Sequence, residues 1–174
     1  MIEHRSLLSC GEHAVLVEVG GLDEVLAFSR AVRDAVAAGA SGLTEVTDIV
    51  PAATTVLVVV NDEATIEPVR QALATLPVTA GGDVATGDQV IEIPVHYDGP
   101  DLAEVAELSG LSVQDVIAAH TGTDWRVAFG GFAPGFAYLG ELPAALRVPR
   151  LATPRTLVPA GSVAIAGAMT AIYP

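Results

Sequence analysis

Thr54-Thr55-Val56-Leu57-Val58-Val59-Val60 decides how the first half of this chain is read. Its apolar core, Val56 to Val60, is the longest wholly apolar run in the sequence. Five mostly β-branched residues make a strand, far short of the ~20 residues a membrane-spanning helix needs. Because the run does not alternate, it suits a central strand covered on both faces or a strand at an interface. Working outward, Pro51 separates it from a strand over Leu43–Val50. On the other side, Asn61-Asp62-Glu63 leads into a helix over Ala64–Leu76, which stops before Pro77. Upstream, Leu22, Val25, Leu26, Val32 and Val36 recur at spacings compatible with one helical face and predict a helix over Leu22–Ala38, stopped by Gly39. Earlier still, Arg5–Ser9 and Ala14–Val19 flank a tight hairpin at Cys10-Gly11-Glu12-His13. The order is ββαββα. It predicts a two-layer α+β domain over residues 1–80, with two helices on one face of a four-stranded sheet. This half carries no catalytic constellation, so its expected role is structure or assembly.

Pro77 to Asp88 is rich in Gly, Thr and Asp without apolar periodicity, and the interdomain linker is expected at 81–88. A second domain, 89–174, opens with a strand over Gln89–His96, followed by a short helical pair at 101–120 (Asp101–Ser109 and Ser112–His120). From Trp125 onward, β-branched stretches are punctuated by Gly and Pro, a pattern that fits a β-barrel or sandwich with tight corners.

Charge narrows the partners. The chain carries 21 acids against eight bases, all of them arginines, for a net charge of −13. Nucleic-acid affinity rests on neutralising phosphates, so a nucleic-acid partner is excluded. The helical pair at 101–120 has helix-turn-helix spacing, yet no cation occurs between Arg70 and Arg126 while Asp101, Glu104, Glu107 and Asp115 lie on it. Without lysine there is no P-loop. The single cysteine, Cys10, and the lack of a signal-like N-terminus point to a reducing compartment, the cytoplasm. Acids crowd residues 1–124, whereas residues 125–174 hold Arg126, Arg147, Arg150 and Arg155 against Glu141 alone. These guanidinium forks either bind a small anionic substrate or pair with acids of the chain or a partner.

Three segments carry candidate chemistry. His120 ends a helix, where it is either a general acid or base or a C-terminal cap favoured by the helix dipole. His13, His96 and His120 lack metal-ligand spacing, and no metal cluster is predicted. Phe129 to Gly140 packs glycines and aromatics together. Gly131, Gly135 and Tyr138 either line a pocket or serve a β-corner. Ala152 to Val163 projects Arg155 between Pro154 and Pro159.

These motifs support a resemblance. Phe132-Ala133-Pro134-Gly135-Phe136-Ala137-Tyr138-Leu139, Ala152-Thr153-Pro154-Arg155-Thr156, Val158 to Val163, Ile165-Ala166-Gly167, Thr170 and Ile172-Tyr173-Pro174 closely resemble one family, that of the 5-oxoprolinase B subunit, allophanate hydrolase subunit 1 and KipI-like proteins. Gly11 to Glu18 and Ile93-Pro94-Val95-His96-Tyr97 resemble it too. The resemblance implies a cyclophilin-like β-barrel for the second domain, incomplete because the sequence stops where the family continues through further strands. It implies two partner chains, a homologous C subunit plus the A subunit of the same complex. It further implies ATP (as Mg-ATP) as co-substrate, and hydrolysis of 5-oxoproline to glutamate. Relatives move a carboxyl group from biotin to urea or inhibit a histidine kinase, and these stand as alternatives. On this reading His120 is the acid or base, Arg155 the anion binder, and Gly131, Gly135 and Tyr138 line the pocket.

Overall fold

The computed structural model describes residues 5–62, 66–79 and 90–174. The chain divides into two compact units, Met1–Gly87 and Asp88–Pro174, each with its own four-stranded antiparallel sheet. Among the described residues there are four α-helices.

The first unit contains β1 (Ser6–Ser9), β2 (Ala14–Glu18), α1 (Leu22–Ala37), β3 (Val46–Pro51), β4 (Thr55–Val60) and α2 (Ile66–Thr75). The sheet order is β1-β2-β4-β3. Register places Val15 opposite Val58 and Val17 opposite Val56. These four valines, with Val60, meet Val25, Phe28 and Val32 of α1 and Val69 and Leu73 of α2 in one core. Burying each such side chain is worth ~1.5–3 kcal/mol, and α1 adds good helix formers in Ala27, Ala31, Ala35 and Ala37. Both helices therefore cover one face. The run Val56 to Val60 alternates between buried and partly exposed, so β4 is central but covered fully on one face only. β3 begins three residues later than expected and includes Pro51. A proline is tolerated there because β3 is an edge strand, where its missing N–H breaks no central ladder. The expected start of the second helix, 64 and 65, lies outside the described residues, as does the linker at 81–88.

The second unit contains α3 (Leu102–Ser109), α4 (Val113–Thr121), β5 (Arg126–Gly130), β6 (Ala137–Gly140), a single 3-10 turn over Ala144–Leu146, β7 (Val163–Ala166) and β8 (Met169–Ile172). Its sheet runs β5-β6-β8-β7. Among the described residues this sheet is open, with β5 and β7 as edges, and no barrel closes. The strand expected over 89–96 is not formed in 90–96, and Gln89 lies outside the described residues. Its β-prone composition finds no neighbouring strand there, and Val90, Ile91 and Ile93 are exposed. Gly110, at φ 68°, ends α3. The Leu111 amide then bonds back to the Ala106 carbonyl, a helix stop that needs a left-handed residue. Ser112 caps α4 by accepting from the Asp115 amide and donating to its carboxylate at 2.6 Å. The helices pack through Ala106 and Val116 onto Leu142, Leu146 and Ile165.

Candidate functional site

The second sheet separates two groups of side chains. Thr170 of β8 stands opposite Leu139 and Ile165, and Ile165 packs on the helical core. That face belongs to α3 and α4. Tyr138 stands opposite Phe129 and Ala171 and therefore points to the other face.

On the helical face, His120 is only 9% exposed. Its Nε2 lies 3.2 Å from the Thr170 hydroxyl and its Nδ1 lies 2.7 Å from the Tyr97 hydroxyl. Thr170 spends its own hydrogen on the Ala164 carbonyl at 3.0 Å, so it accepts from His120. Nε2 then carries the proton, and Nδ1 accepts from Tyr97. Burial pushes the His120 imidazole below its ordinary range and the Tyr97 phenol above its own, and both shifts favour this neutral chain. Trp125 lies with its ring 5.0 Å from the imidazole and donates its indole N–H to the His120 carbonyl at the end of α4. Neither ring nitrogen of His120 is free. The ring ties α4 to β8 and to the segment carrying Tyr97.

On the opposite face, aromatics form a continuous cluster. Phe129 stacks on Tyr138 at 4.7 Å, and Phe136 meets Tyr138 at 4.9 Å and Tyr173 at 5.2 Å. Phe132 reaches Phe136 at 5.1 Å and Tyr173 at 5.7 Å, yet is 74% exposed. Two turns build this arrangement. The Ala133 amide bonds to the Gly131 carbonyl at 2.7 Å across Phe132, whose φ is 65°, a strained γ-turn. The Phe136 amide then bonds to the Ala133 carbonyl, with Gly135 at φ 80°, as a type II turn after Pro134 requires. Gly135 is thus used for geometry. Gly131 commits its amide to the Phe136 carbonyl and lies so close to Tyr138 that an added Cβ would sit 3.4 Å from that ring.

Arg155 is half-exposed and pairs with Asp101 at 2.5 Å. Arg147 pairs with Glu141 and bonds to the Leu142 carbonyl. Among the described residues, Arg126 and Arg150 make no ion pair within 4.0 Å. The structure therefore brings Tyr138, Gly131 and Gly135 together on the β5–β6 hairpin and places His120 across the sheet from them. Sequence reasoning passed over Tyr97 and Thr170 as partners of His120. They lie 23 and 50 residues away, and no local pattern marks the pairing. Among the described residues no three His, Cys, Asp or Glu side chains group as a metal site.

The chain combines two mixed α/β units with an aromatic-faced hairpin and an arginine-bearing loop. Residues 5–174 match the family described as carboxyltransferase domain, subdomain C and D, and the chain belongs to that family. Within it, the chain is similar to the B subunit of 5-oxoprolinase from Escherichia coli O157:H7, 55% identical over 87 residues, which is 48% of this chain and 40% of that protein. It is likewise similar to the B subunit of 5-oxoprolinase from Bacillus subtilis strain 168, 45% identical over 95 residues, 53% of this chain and 40% of that protein. Each match thus spans about two-fifths of the relative. Among solved structures, TTHA0988 superposes with a TM-score of 0.68 at 35% identity, over 92% of this chain and 32% of that one. No helix among the described residues is long and apolar enough to cross a membrane.

Proposed function

We propose that this chain is the B-type subunit of an ATP-dependent 5-oxoprolinase, working in the cytoplasm with a homologous C-type chain and an A-type chain. The overall reaction opens the cyclic amide of 5-oxoproline with water, giving glutamate while ATP becomes ADP and phosphate. The observation that carries this reading is the 55% identity over 87 residues to a protein named as the B subunit of 5-oxoprolinase. The second unit is read as part of a cyclophilin-like barrel.

On this reading the site is shared with the partner chains. The ring of 5-oxoproline is small and flat, and Tyr138 beside Gly131 and Gly135 offers an aromatic wall at a tight turn. Arg155 supplies the fork for the substrate carboxylate. Its exposed pair with Asp101 is worth only ~0–1 kcal/mol, so a ligand carboxylate can take Asp101's place at little cost. His120 holds β8, the strand beside β6, and can act as acid or base only when Tyr97 or Thr170 releases a ring nitrogen. The described residues do not by themselves fit Mg-ATP. There is no lysine, the Gly131 amide is committed within the hairpin, and no acidic group gathers for the metal. We place the nucleotide at a site completed by the partner chains.

The test is 5-oxoproline-stimulated ATP hydrolysis by reconstituted subunits. Turnover should require all three chains. Turnover by this chain alone, or none with the full set, overturns the reading.

A further inference from the structure

One irregularity in β5 changes what the aromatic face of the second sheet presents. Arg126 pairs with Gly140 and Val127 with Leu139, but the next pair is Phe129 with Tyr138, so Ala128 is an extra residue with no partner on β6. A bulge of this kind re-aims the side chains around it. In a regular strand Arg126 and Phe129, three residues apart, would point to opposite faces. Here both fall on the face of Tyr138. Phe129 stacks on the Tyr138 ring, and Arg126 stands opposite Gly140, two residues along β6 from Tyr138. Without the bulge Arg126 would turn to the side of α3 and α4.

Arg126 has no partner in this position. It is exposed, and among the described residues it makes neither an ion pair within 4.0 Å nor a side-chain hydrogen bond. Glu141, the one acid of residues 125–174, is paired with Arg147. Gly140 offers no side chain of its own, and Met169 of β8 stands on its other flank. The space above Gly140 is thus bounded by Arg126, Met169 and Tyr138. Diagonal neighbours on one sheet face lie ~7–8 Å apart, within reach of long side chains. A flat ring laid against Tyr138 would have the Arg126 guanidinium at its edge.

The reaction proposed above calls for a second cation. 5-Oxoproline carries one carboxylate, which Arg155 serves, and opening the ring makes another. Water adds its oxygen to the ring carbonyl carbon and the C–N bond breaks. Both hydrogens of that water end on the nitrogen, which becomes an ammonium, and the carbonyl becomes a carboxylate. ATP hydrolysis, with a water of its own, supplies the driving force. Negative charge therefore grows on the carbonyl oxygens as the reaction proceeds, and a positioned guanidinium stabilises it more than it stabilises the neutral carbonyl. We propose that Arg126 is a second anion-binding residue of this site, holding the carboxylate formed from the ring carbonyl. The assignment rests on the 5-oxoprolinase reading above.

The experiment compares Arg126→Gln and Arg126→Lys with the wild type in the complex reconstituted from all three chains, following glutamate formation and ATP hydrolysis. Because Arg126 is exposed and unpaired, neither variant should shift Tm or assembly. Arg126→Gln should lower kcat by ~10²-fold, as loss of one charge-stabilising donor does, and leave KM for 5-oxoproline nearly unchanged. Inhibition by added glutamate should weaken with it. Arg126→Lys, which keeps the charge and loses the fork, should fall between the two. Wild-type kcat in Arg126→Gln overturns the assignment, and so does a raised KM with kcat unchanged, which would give Arg126 the carboxylate already present in the substrate. An Arg126→Gln chain that no longer joins its partners makes the residue an interface contact and overturns it too. No turnover by the wild-type complex ends the 5-oxoprolinase reading itself, a result separate from any of these.

Discussion

His120 is bonded at both ring nitrogens in a buried position, and its removal takes the acceptor from the Tyr97 hydroxyl, while Thr170 keeps its bond to the Ala164 carbonyl. Replacing it with Ala should therefore cost about 2–4 kcal/mol, the combined effect of a cavity and an unsatisfied hydroxyl. For a unit of this size that lowers Tm by on the order of 10 °C or more, measurable by calorimetry. The same site fixes a pH dependence. Burial holds the folded imidazole below its ordinary pKa of 6.5, so below about that pH the unfolded chain binds a proton that the folded chain resists. Stability should be level above pH ~6.5 and decline as pH falls below it. In His120→Gln the decline attributable to this group disappears, which thermal melts between pH ~5 and ~8 would show. Arg155 calls for the opposite pattern. Its partner Asp101 is half-exposed, so Arg155→Lys should shift Tm by little, at most the ~1 kcal/mol of an exposed pair. Loss of bidentate geometry should weaken 5-oxoproline binding to the reconstituted complex by ~1.5–3 kcal/mol, roughly 10- to 150-fold. A destabilised Arg155→Lys that binds normally would make the residue structural.

At the scale of elements, the β5–β6 hairpin depends on two left-handed residues within one turn segment. Gly135→Ala places a Cβ at φ 80° and should cost ~1–2 kcal/mol, read as a lower Tm without change of fold. Phe132 adopts φ 65° without being glycine, held by ring contacts to Phe136 and Tyr173. The sequence offers Phe129 to Gly140 as a pocket lining or a β-corner, but does not show that strain falls on Phe132, because the γ-turn is imposed by aromatic packing. The helices α1, α3 and α4 were legible from apolar spacing, Gly110 and Ser112, all local signals. The strand expected near 89–96 was a local signal too, and it misled. A strand is stable only with a ladder partner, and β-prone residues cannot report whether one is present.

For the whole molecule, the charge of −13 makes salt the natural probe of the proposed assembly. Mixed at low salt with the A-type and C-type chains, the protein should elute as part of a larger complex, and raising salt should dissociate it. A complex indifferent to salt would show that apolar surface alone holds it.

The sequence by itself determined the ββαββα order of the first unit, its first hairpin and the stop of α3 at Gly110, because apolar periodicity and turn glycines act over a few positions. It also carried the family, through long motifs in the second half. Only the tertiary structure decided which face each candidate occupies. Pairing of Tyr138 with Ala171 and of Thr170 with Leu139 puts the aromatic cluster and His120 on opposite sides of one sheet. That outcome depends on the register between strands far apart in the chain, and in a strand a shift of one residue sends every side chain to the other face.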